Sequence, residues 1–486
     1  MQAIYDALNW INSNILWGIP VIALILGVGI LLTIRSKALQ VRKFGTAMKG
    51  TIGKTVKQIK KGERNKSKNS LSPFAAFCTA VSGTVGTGNI VGVTTAILSG
   101  GPGAVFWMWV SAFFGGMTKY SEITLGMYYR KKDHKGEYLG GPMYYIEKGV
   151  KAKWLAIIFA VFTMLAAVGF GSVQSDTIQK TWNNAFDIPT WVTAIIVVFF
   201  TALVVLGGLK RIGSVTTILV PFMTIFFIIM ALILIIANAA LVPAAFASIF
   251  TSAFTAESLL GGFAGYGIAQ AMRYGFARGI FSNEAGLGSS SIVHSTSNSR
   301  EPVEQGLWGV FEVFLDTFVV CTLTALFVLT TNQGGTDGAE VAMNSFTGFF
   351  GTFGTIAYSI ILPLFAFSTI LAWAVYGAKA TQYLFKNHQK SSKIIYNVVY
   401  LSLIIGIALL TYFCGDNLGS DFVWLISDMT NGLMAIPNLI ALVILSGQVV
   451  KITKNYFDRK KGLNVKPMLS AYEDENDFLI NSETAE

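Results

Sequence analysis

The sequence predicts an all-α integral membrane protein of about eleven transmembrane helices. They form an inverted five-plus-five helix repeat with discontinuous helices, plus one N-terminal helix. Three observations carry this. The 486 residues are 53% hydrophobic and 13% charged, with mean hydropathy +0.57, whereas soluble domains carry about 25% charge. Apolar runs of about 20 residues, the length that crosses a bilayer core, recur along the chain. Two of these runs are interrupted by glycine-rich polar stretches, five runs apart.

In order, the spans fall near 15–34, 74–98, 103–129, 153–182, 190–208, 214–238, 262–297, 305–331, 351–385, 394–414 and 422–447. The longer ones must tilt or run past the bilayer. Span one lacks a basic leader and a small-residue cleavage site, so it reads as retained, not as a signal peptide.

Loop charge sets the orientation. The segment after span one has Lys or Arg at 35, 37, 42, 43, 49, 54, 57, 60, 61, 64, 66 and 68, against Glu63 alone. The positive-inside rule places it in the cytoplasm. Alternation then puts Arg130–Lys153, Lys210-Arg211, Arg300, Lys386–Lys393 and the tail from Lys451 inside. The outer loops carry Asp187, Glu257, Asp337, Glu340, Asp416 and Asp421 without Lys or Arg, and Lys180 at an outer span end is the nearest exception. The expectation is a multi-pass cell-membrane protein with its N-terminus outside and its C-terminus cytoplasmic. The net charge of +10 therefore sets topology and does not mark a nucleic-acid partner.

The expected organisation is residues 1–70 as N-terminal helix and basic loop, 71–238 and 239–450 as the two five-helix repeats, and 451–486 as a tail. In the basic loop, Phe44, Met48, Ile52, Val56 and Ile59 recur at helical spacing, which fits an interfacial amphipathic helix on anionic lipid or a solvated linker. The tail turns acidic at Glu473, Asp474, Glu475 and Asp477, and its composition predicts disorder. Cys78, Cys321 and Cys414 lie far apart in apolar segments and read as small core residues.

Span two is broken at Ser82–Asn89, and span seven at Phe281–Ser289. An odd separation makes the two broken helices antiparallel. Interrupted helices at matching positions of two halves point to a transporter's binding site, whereas small residues alone would indicate close helix packing. Half-helix N-termini favour an anionic group, and freed carbonyls and hydroxyls favour a hard cation. Thr84, Thr87, Ser282 and Asn283 add polar groups without fixed charge, which suits a small zwitterion with a co-bound cation.

At these residues the sequence resembles the alanine or glycine:cation symporters, also called sodium:alanine symporters. The resemblance rests on Phe77-Cys78-Thr79-Ala80-Val81-Ser82-Gly83-Thr84-Val85-Gly86-Thr87-Gly88-Asn89-Ile90-Val91-Gly92. It rests also on Gly100-Gly101-Pro102-Gly103-Ala104-Val105-Phe106-Trp107-Met108-Trp109 and on Ala277-Arg278-Gly279-Ile280-Phe281-Ser282-Asn283-Glu284-Ala285-Gly286-Leu287-Gly288. It implies the broken-helix fold of sodium-coupled amino-acid transporters. By that likeness, amides near Thr87 and Gly88, beside Gly86, take a substrate carboxylate. Carbonyls near Ser82 and Val85 face sodium, together with the hydroxyls of Ser368 and Thr369. Phe281 becomes a wall or lid, Ser282 and Asn283 polar contacts, and Gln174 a residue lining the site, with Gly286 in the second break. Without the likeness, Ser368 and Thr369 would be expected to bond back to their own helix.

Glu122, Asp176, Arg273, Arg278, Glu284, Glu312 and Asp316 lie in or near spans, where ionisable groups are functional hypotheses by default. Asp316, like Asn89, is a further candidate for the cation. The alternative is an ion pair of Asp316 or Glu312 with Arg273 or Arg278. Asp176 and Lys180 form a helix pair by spacing, Glu284 is a candidate cap at Gly286, and His294 reads as a mouth residue. No catalytic cluster supports an enzyme, and no polar ring or stripe supports a channel. The expected function is sodium-driven symport of a small neutral amino acid, alanine or glycine, by alternating access. Glutamine or D-alanine as substrate, or proton coupling through Asp316 or Glu312, are the alternatives. The expected partners are the amino acid and the bilayer, with the monomer as functional unit and no cofactor beyond Na⁺.

Overall fold

The computed structural model describes residues 2–60, 70–133, 136–255, 264–414 and 417–481. Lys61, Glu63, Arg64, Lys66, Lys68, His134, Glu257 and Asp416 lie outside them, as do residues 262–263 of span seven and the side chains of Ile59, Lys60 and Cys414.

Among the described residues, seven helices are long and apolar enough to cross a bilayer: Ala3–Arg35, Lys153–Phe186, Gly208–Ala237, Pro302–Thr331, Thr352–Leu384, Lys386–Leu409 and Asp421–Lys460. Span two is the bent pair Pro73–Thr84 and Thr87–Gly100, which turns by 59° at its break. Thr190–Val205, Gly103–Tyr128 and Ala264–Asn283 with Ser289–His294 complete the eleven expected spans. Gly103–Tyr128 carries Lys119 and Glu122, and all of it from Gly115 onward is buried. It is tolerated because Ala264–Asn283 and Pro302–Val313 pack against it, so its polar groups face protein and not lipid.

Lys153–Phe186 and Thr352–Leu384 pack against each other and, with Asn417–Lys460, run through the largest core cluster. Among the described residues, two helices of more than ten residues lie outside the expected spans. Val242–Phe254 follows span six, and Gly338–Phe350 precedes span nine. Asp337 caps the latter by accepting from the Ala339 and Glu340 amides at 2.8 and 2.9 Å. The Thr336 hydroxyl and amide donate to Glu340 and hold its carboxyl below the usual range.

The basic segment is helical, but its apolar stripe rests on protein as well as facing outward. Ala47 and Thr51 are buried, and Phe44 meets the Phe314 ring edge-on at 5.0 Å. Val56 remains exposed.

The tail departs from expectation. Glu473–Asn481 is a helix, with Asn476 and Leu479 buried. Asn476 Oδ1 accepts from the Leu469 and Ser470 amides at 2.8 and 3.1 Å, and Ala471 N donates to the Tyr128 carbonyl at 2.8 Å. Glu475 pairs with Lys132, and Phe478 lies beneath the same ammonium. Composition suggested disorder because the acidic run hides Leu469 and Leu479, both buried against the protein.

Asn476→Ala leaves two amides without their acceptor, a cost of about 1–3 kcal/mol each. Hydrogen exchange over residues 466–481 is expected to accelerate about tenfold or more, while the spans stay protected.

Candidate functional site

The first break is shorter than expected. The first half-helix runs through Thr84, so Ser82 lies in its last turn. Val85 takes a non-helical conformation, Gly86 is extended, and one 3₁₀ turn over Thr87–Asn89 leads into Val91–Gly100. Asn89 holds this turn, because its Oδ1 accepts from the Gly86 amide at 2.9 Å. The second break begins after Asn283. Glu284, Gly286 and Gly288 all have positive φ, at 53°, 101° and 80°, conformations that favour glycine and cost a non-glycine residue about 1 kcal/mol or more.

The two breaks meet. A Cβ on Gly88 would stand 3.3 Å from the Phe281 ring and 3.7 Å from Ser282 Cα. Both breaks also bond to one carboxylate, that of Asp316. Asn89 Nδ2 donates to its Oδ1 at 2.6 Å, and Ser282 Oγ lies 3.1 and 3.0 Å from the two oxygens. Thr317 Oγ1 donates to Oδ2 at 2.7 Å and is itself 3.3 Å from Asn283 Nδ2. All five side chains are buried. Asp316 sits in a π-helical stretch, Phe314–Cys321, within span eight. Such local widening of a helix redirects side chains and recurs at functional sites.

The arginine pairing does not occur. Arg273 donates to the Ser13 carbonyl, and Arg278 lies over the Phe281 ring. Asp316 is held instead by neutral donors, and Glu312 meets Lys119 at 3.3 Å and His294 at 3.1 Å. His294 is thus fully buried and no mouth residue: Gln305 Nε2 lies 2.7 Å from its Nδ1, and Ser290 links Lys119 to Glu312. Nor does Glu284 cap Gly286. The Gly286 amide donates to Glu122 at 3.0 Å, and Asn438 Nδ2 bridges Glu122 and the Gly286 carbonyl at 2.7 and 2.8 Å. Glu284 bonds Ser289. The Asp176–Lys180 helix pair forms as spaced, at 2.9 Å.

On the other side of the first break, Ser368 Oγ is 3.4 Å from the Ser82 carbonyl. A Cβ on Gly86 would stand 2.5 Å from Thr369 Oγ1. Both hydroxyls also bond back to Phe365 O, at 2.8 and 3.1 Å, so they lie against the first break while bonded to their own helix. Thr84 is buried and donates to Val81 O. Among the buried polar atoms without a partner are Thr87 Oγ1 in the first break and Gln174 Oε1 on span four. Phe281 stacks on Phe170 at 4.9 Å, and Phe170 on Trp373 at 4.1 Å, an aromatic column joining spans seven, four and nine.

Of the residues named from sequence, Gly86, Gly88, Asn89, Phe281, Ser282, Asn283, Asp316 and Thr369 converge, with Ser82 and Ser368 against the first break. Gln174 is buried on span four, without a described contact to the breaks. Sequence reasoning did not single out Lys119, Asn438, Gln305, Phe170 or Trp373. A lysine and two amides in otherwise apolar helices were a usable signal for the first three, but the aromatics look like ordinary core. A cavity of about 620 Å³ opens on the far side from the basic segment, lined by Thr95, Asp176, Lys180, Arg278, Glu340 and Asp421 among others.

Two interrupted antiparallel helices, joined at a buried carboxylate inside a bundle of spans, define a membrane transporter of the broken-helix, inverted-repeat fold, not an enzyme. The chain belongs to the sodium:alanine symporter family, whose profile matches residues 1–469. It is 41% identical over 466 residues to an uncharacterized transporter of Haemophilus influenzae, covering 95% of this chain and 98% of that one. It is 40% identical over 466 residues to the sodium/alanine symporter AgcS of Methanococcus maripaludis, covering 93% and 97%. In fold it is similar to the crystal structure of MhsT in complex with L-phenylalanine, with a TM-score of 0.56 at 14% identity over 79% of this chain and 99% of that one. The family identifies it as a multi-pass membrane protein that carries out amino-acid symport.

Asp316→Leu strands the Asn89 and Ser282 donors, at about 1–3 kcal/mol each. Thermal unfolding in detergent is expected to shift down by several degrees, and Asp316→Asn, which keeps one acceptor, by less.

Proposed function

We propose that the protein couples inward movement of sodium to uptake of a small neutral amino acid, alanine or glycine. The observation that carries this is the meeting of both helix breaks at Asp316, with the Ser368-Thr369 hydroxyl pair against the opposite face of the first break. The Thr87 and Gly88 amides begin the outer half-helix, where the first N–H groups lack intrahelical partners, and in this reading they take the substrate carboxylate. Thr84, Gly86, Ser282, Asn283 and Gly286 complete the surround. The orphaned oxygens of Thr87 and Gln174 supply acceptors for a substrate ammonium.

Sodium is a hard cation that takes oxygen ligands. The Ser82 and Val85 carbonyls with Ser368 and Thr369 form one candidate oxygen set. Asp316, which the Asn89 amide nitrogen holds in place, is a second. A cation there and a substrate carboxylate attract each other, so each raises the other's affinity by the same factor. The Phe281–Phe170–Trp373 column stands where a larger side chain would extend beside Gly88, which favours a substrate of alanine's size. Alternating access would then rock the two repeats, residues 71–238 and 239–450, about this site. Loop charge orients the N-terminus outside and the C-terminus in the cytoplasm, and the monomer is the functional unit.

A second reading, proton coupling, is favoured by one observation: the chain Lys119–Glu312–His294 is wholly buried and reaches Ser290 in the inner half of span seven. Replacing Na⁺ with choline at constant pH in proteoliposomes separates the two. Sodium coupling predicts loss of uptake, and proton coupling predicts that it persists.

Uptake of labelled alanine is expected to be competed by unlabelled alanine and glycine. Competition by none of alanine, glycine and glutamine would remove the substrate assignment. Asn283→Leu is expected to abolish uptake with folded protein retained. Thr369→Ala, losing one oxygen ligand worth about 1.4 kcal/mol, is expected to raise the sodium concentration for half-maximal uptake about tenfold.

A further inference from the structure

The transport site leaves one constructed feature unused. Between the basic segment and the bundle lies a groove of about 360 Å³, lined by Phe44, Phe113, Gly116, Val313, Phe314 and Phe318 among others. Its walls are almost wholly apolar, with one exception. Gln40 Nε2 donates to Thr33 Oγ1 and toward the Phe113 carbonyl, but its Oε1 is buried and has no partner. Gln40 follows Lys37 and Ala38, both left-handed at φ 57° and 51°. After that double turn the basic segment packs across the middle of Gly103–Tyr128, at Phe113 and Gly116, and against Pro302–Val313 and Phe314, making it a roof over the groove.

Lys37, Arg42 and Lys43 flank the groove-lining residues Gln40, Val41 and Phe44 along the chain. Lys37 and Arg42 are exposed. An apolar slot with cations beside its lining residues and one buried acceptor matches a molecule with an acyl chain, a negative headgroup and a hydrogen-bond donor.

We propose that this groove binds a phospholipid with an anionic, hydroxyl-bearing headgroup, such as phosphatidylglycerol. One acyl chain lies against Phe44, Phe113, Phe314 and Phe318. The phosphate meets Lys37, Arg42 and Lys43, and a headgroup hydroxyl donates to Gln40 Oε1. Phe314 and Phe318 form the outer face of the π-helical stretch whose inner face presents Asp316 and Thr317. The lipid therefore buttresses the turn that positions the carboxylate shared by the two breaks. This goes beyond the symport reading, because it concerns a surface none of the transported species touches.

The test measures binding directly, on the full chain. Delipidated protein in detergent is titrated with phosphatidylglycerol or phosphatidylcholine, and retained lipid is counted by native mass spectrometry. Wild type is expected to keep one phosphatidylglycerol in preference to phosphatidylcholine. Arg42→Gln with Lys43→Gln is expected to weaken that binding about thirtyfold, at about fivefold per cation. Gly116→Leu fills the groove from a position where an added Cβ meets only Gln40 Cβ, at 4.0 Å. It is expected to remove the bound lipid while the protein stays monodisperse. Equal retention of both lipids, or unchanged phosphatidylglycerol binding in the charge variant, overturns the proposal. So does a dimer whose partner copy occupies the groove. Because no transport is measured, failure here leaves the symport assignment untouched.

Discussion

The Asp316 carboxylate accepts hydrogen bonds from both interrupted helices, and the rest of the architecture arranges for this to be possible. A break in a membrane helix frees backbone groups that lipid cannot satisfy. Each break must therefore be enclosed by protein, and two breaks sharing one enclosure are cheaper to bury than two apart. Asn89 serves twice, closing its own turn through Gly86 and reaching Asp316 through its amide nitrogen. Ser282 reaches the same carboxylate from the other helix. The donors that meet this carboxylate are neutral: Asn89, Ser282 and Thr317.

The second break is secured differently. Glu122 and Asn438, from spans three and eleven, satisfy both the amide and the carbonyl of Gly286. Below them Lys119, Ser290, Glu312, His294 and Gln305 form a continuous buried polar network. Breaking one partner of such a network leaves an uncompensated buried group, which is far costlier than any surface pair. Span three is consequently the polar spine of the second repeat's broken helix, although it belongs to the first repeat. The two halves are bonded across their boundary at both breaks.

Much of this was legible from residue order. The glycine-rich interruptions and their five-span separation pointed to the broken-helix, inverted-repeat fold. The helix does break at Val85-Gly86-Thr87-Gly88-Asn89, and Thr369 lies beside Gly86. Other features were not legible. Nothing in the sequence tells whether Asp316 meets an arginine or an asparagine, because both lie at suitable depth. His294 looked like a mouth residue because serines surround it, yet those serines are themselves buried. The acidic tail hid a docking helix because composition averages over the few apolar side chains that make contact.

The sequence by itself determined what local rules can encode: helices long enough to span, the places where glycine prevents a helix from continuing, and the side on which cations gather. Each follows from a residue and its near neighbours. Only the tertiary structure decided which polar group answers which. Partners such as Asn89 and Asp316, or Glu122 and Asn438, stand 227 and 316 residues apart. Their pairing depends on the rotation and depth of whole helices, which packing fixes and periodicity does not.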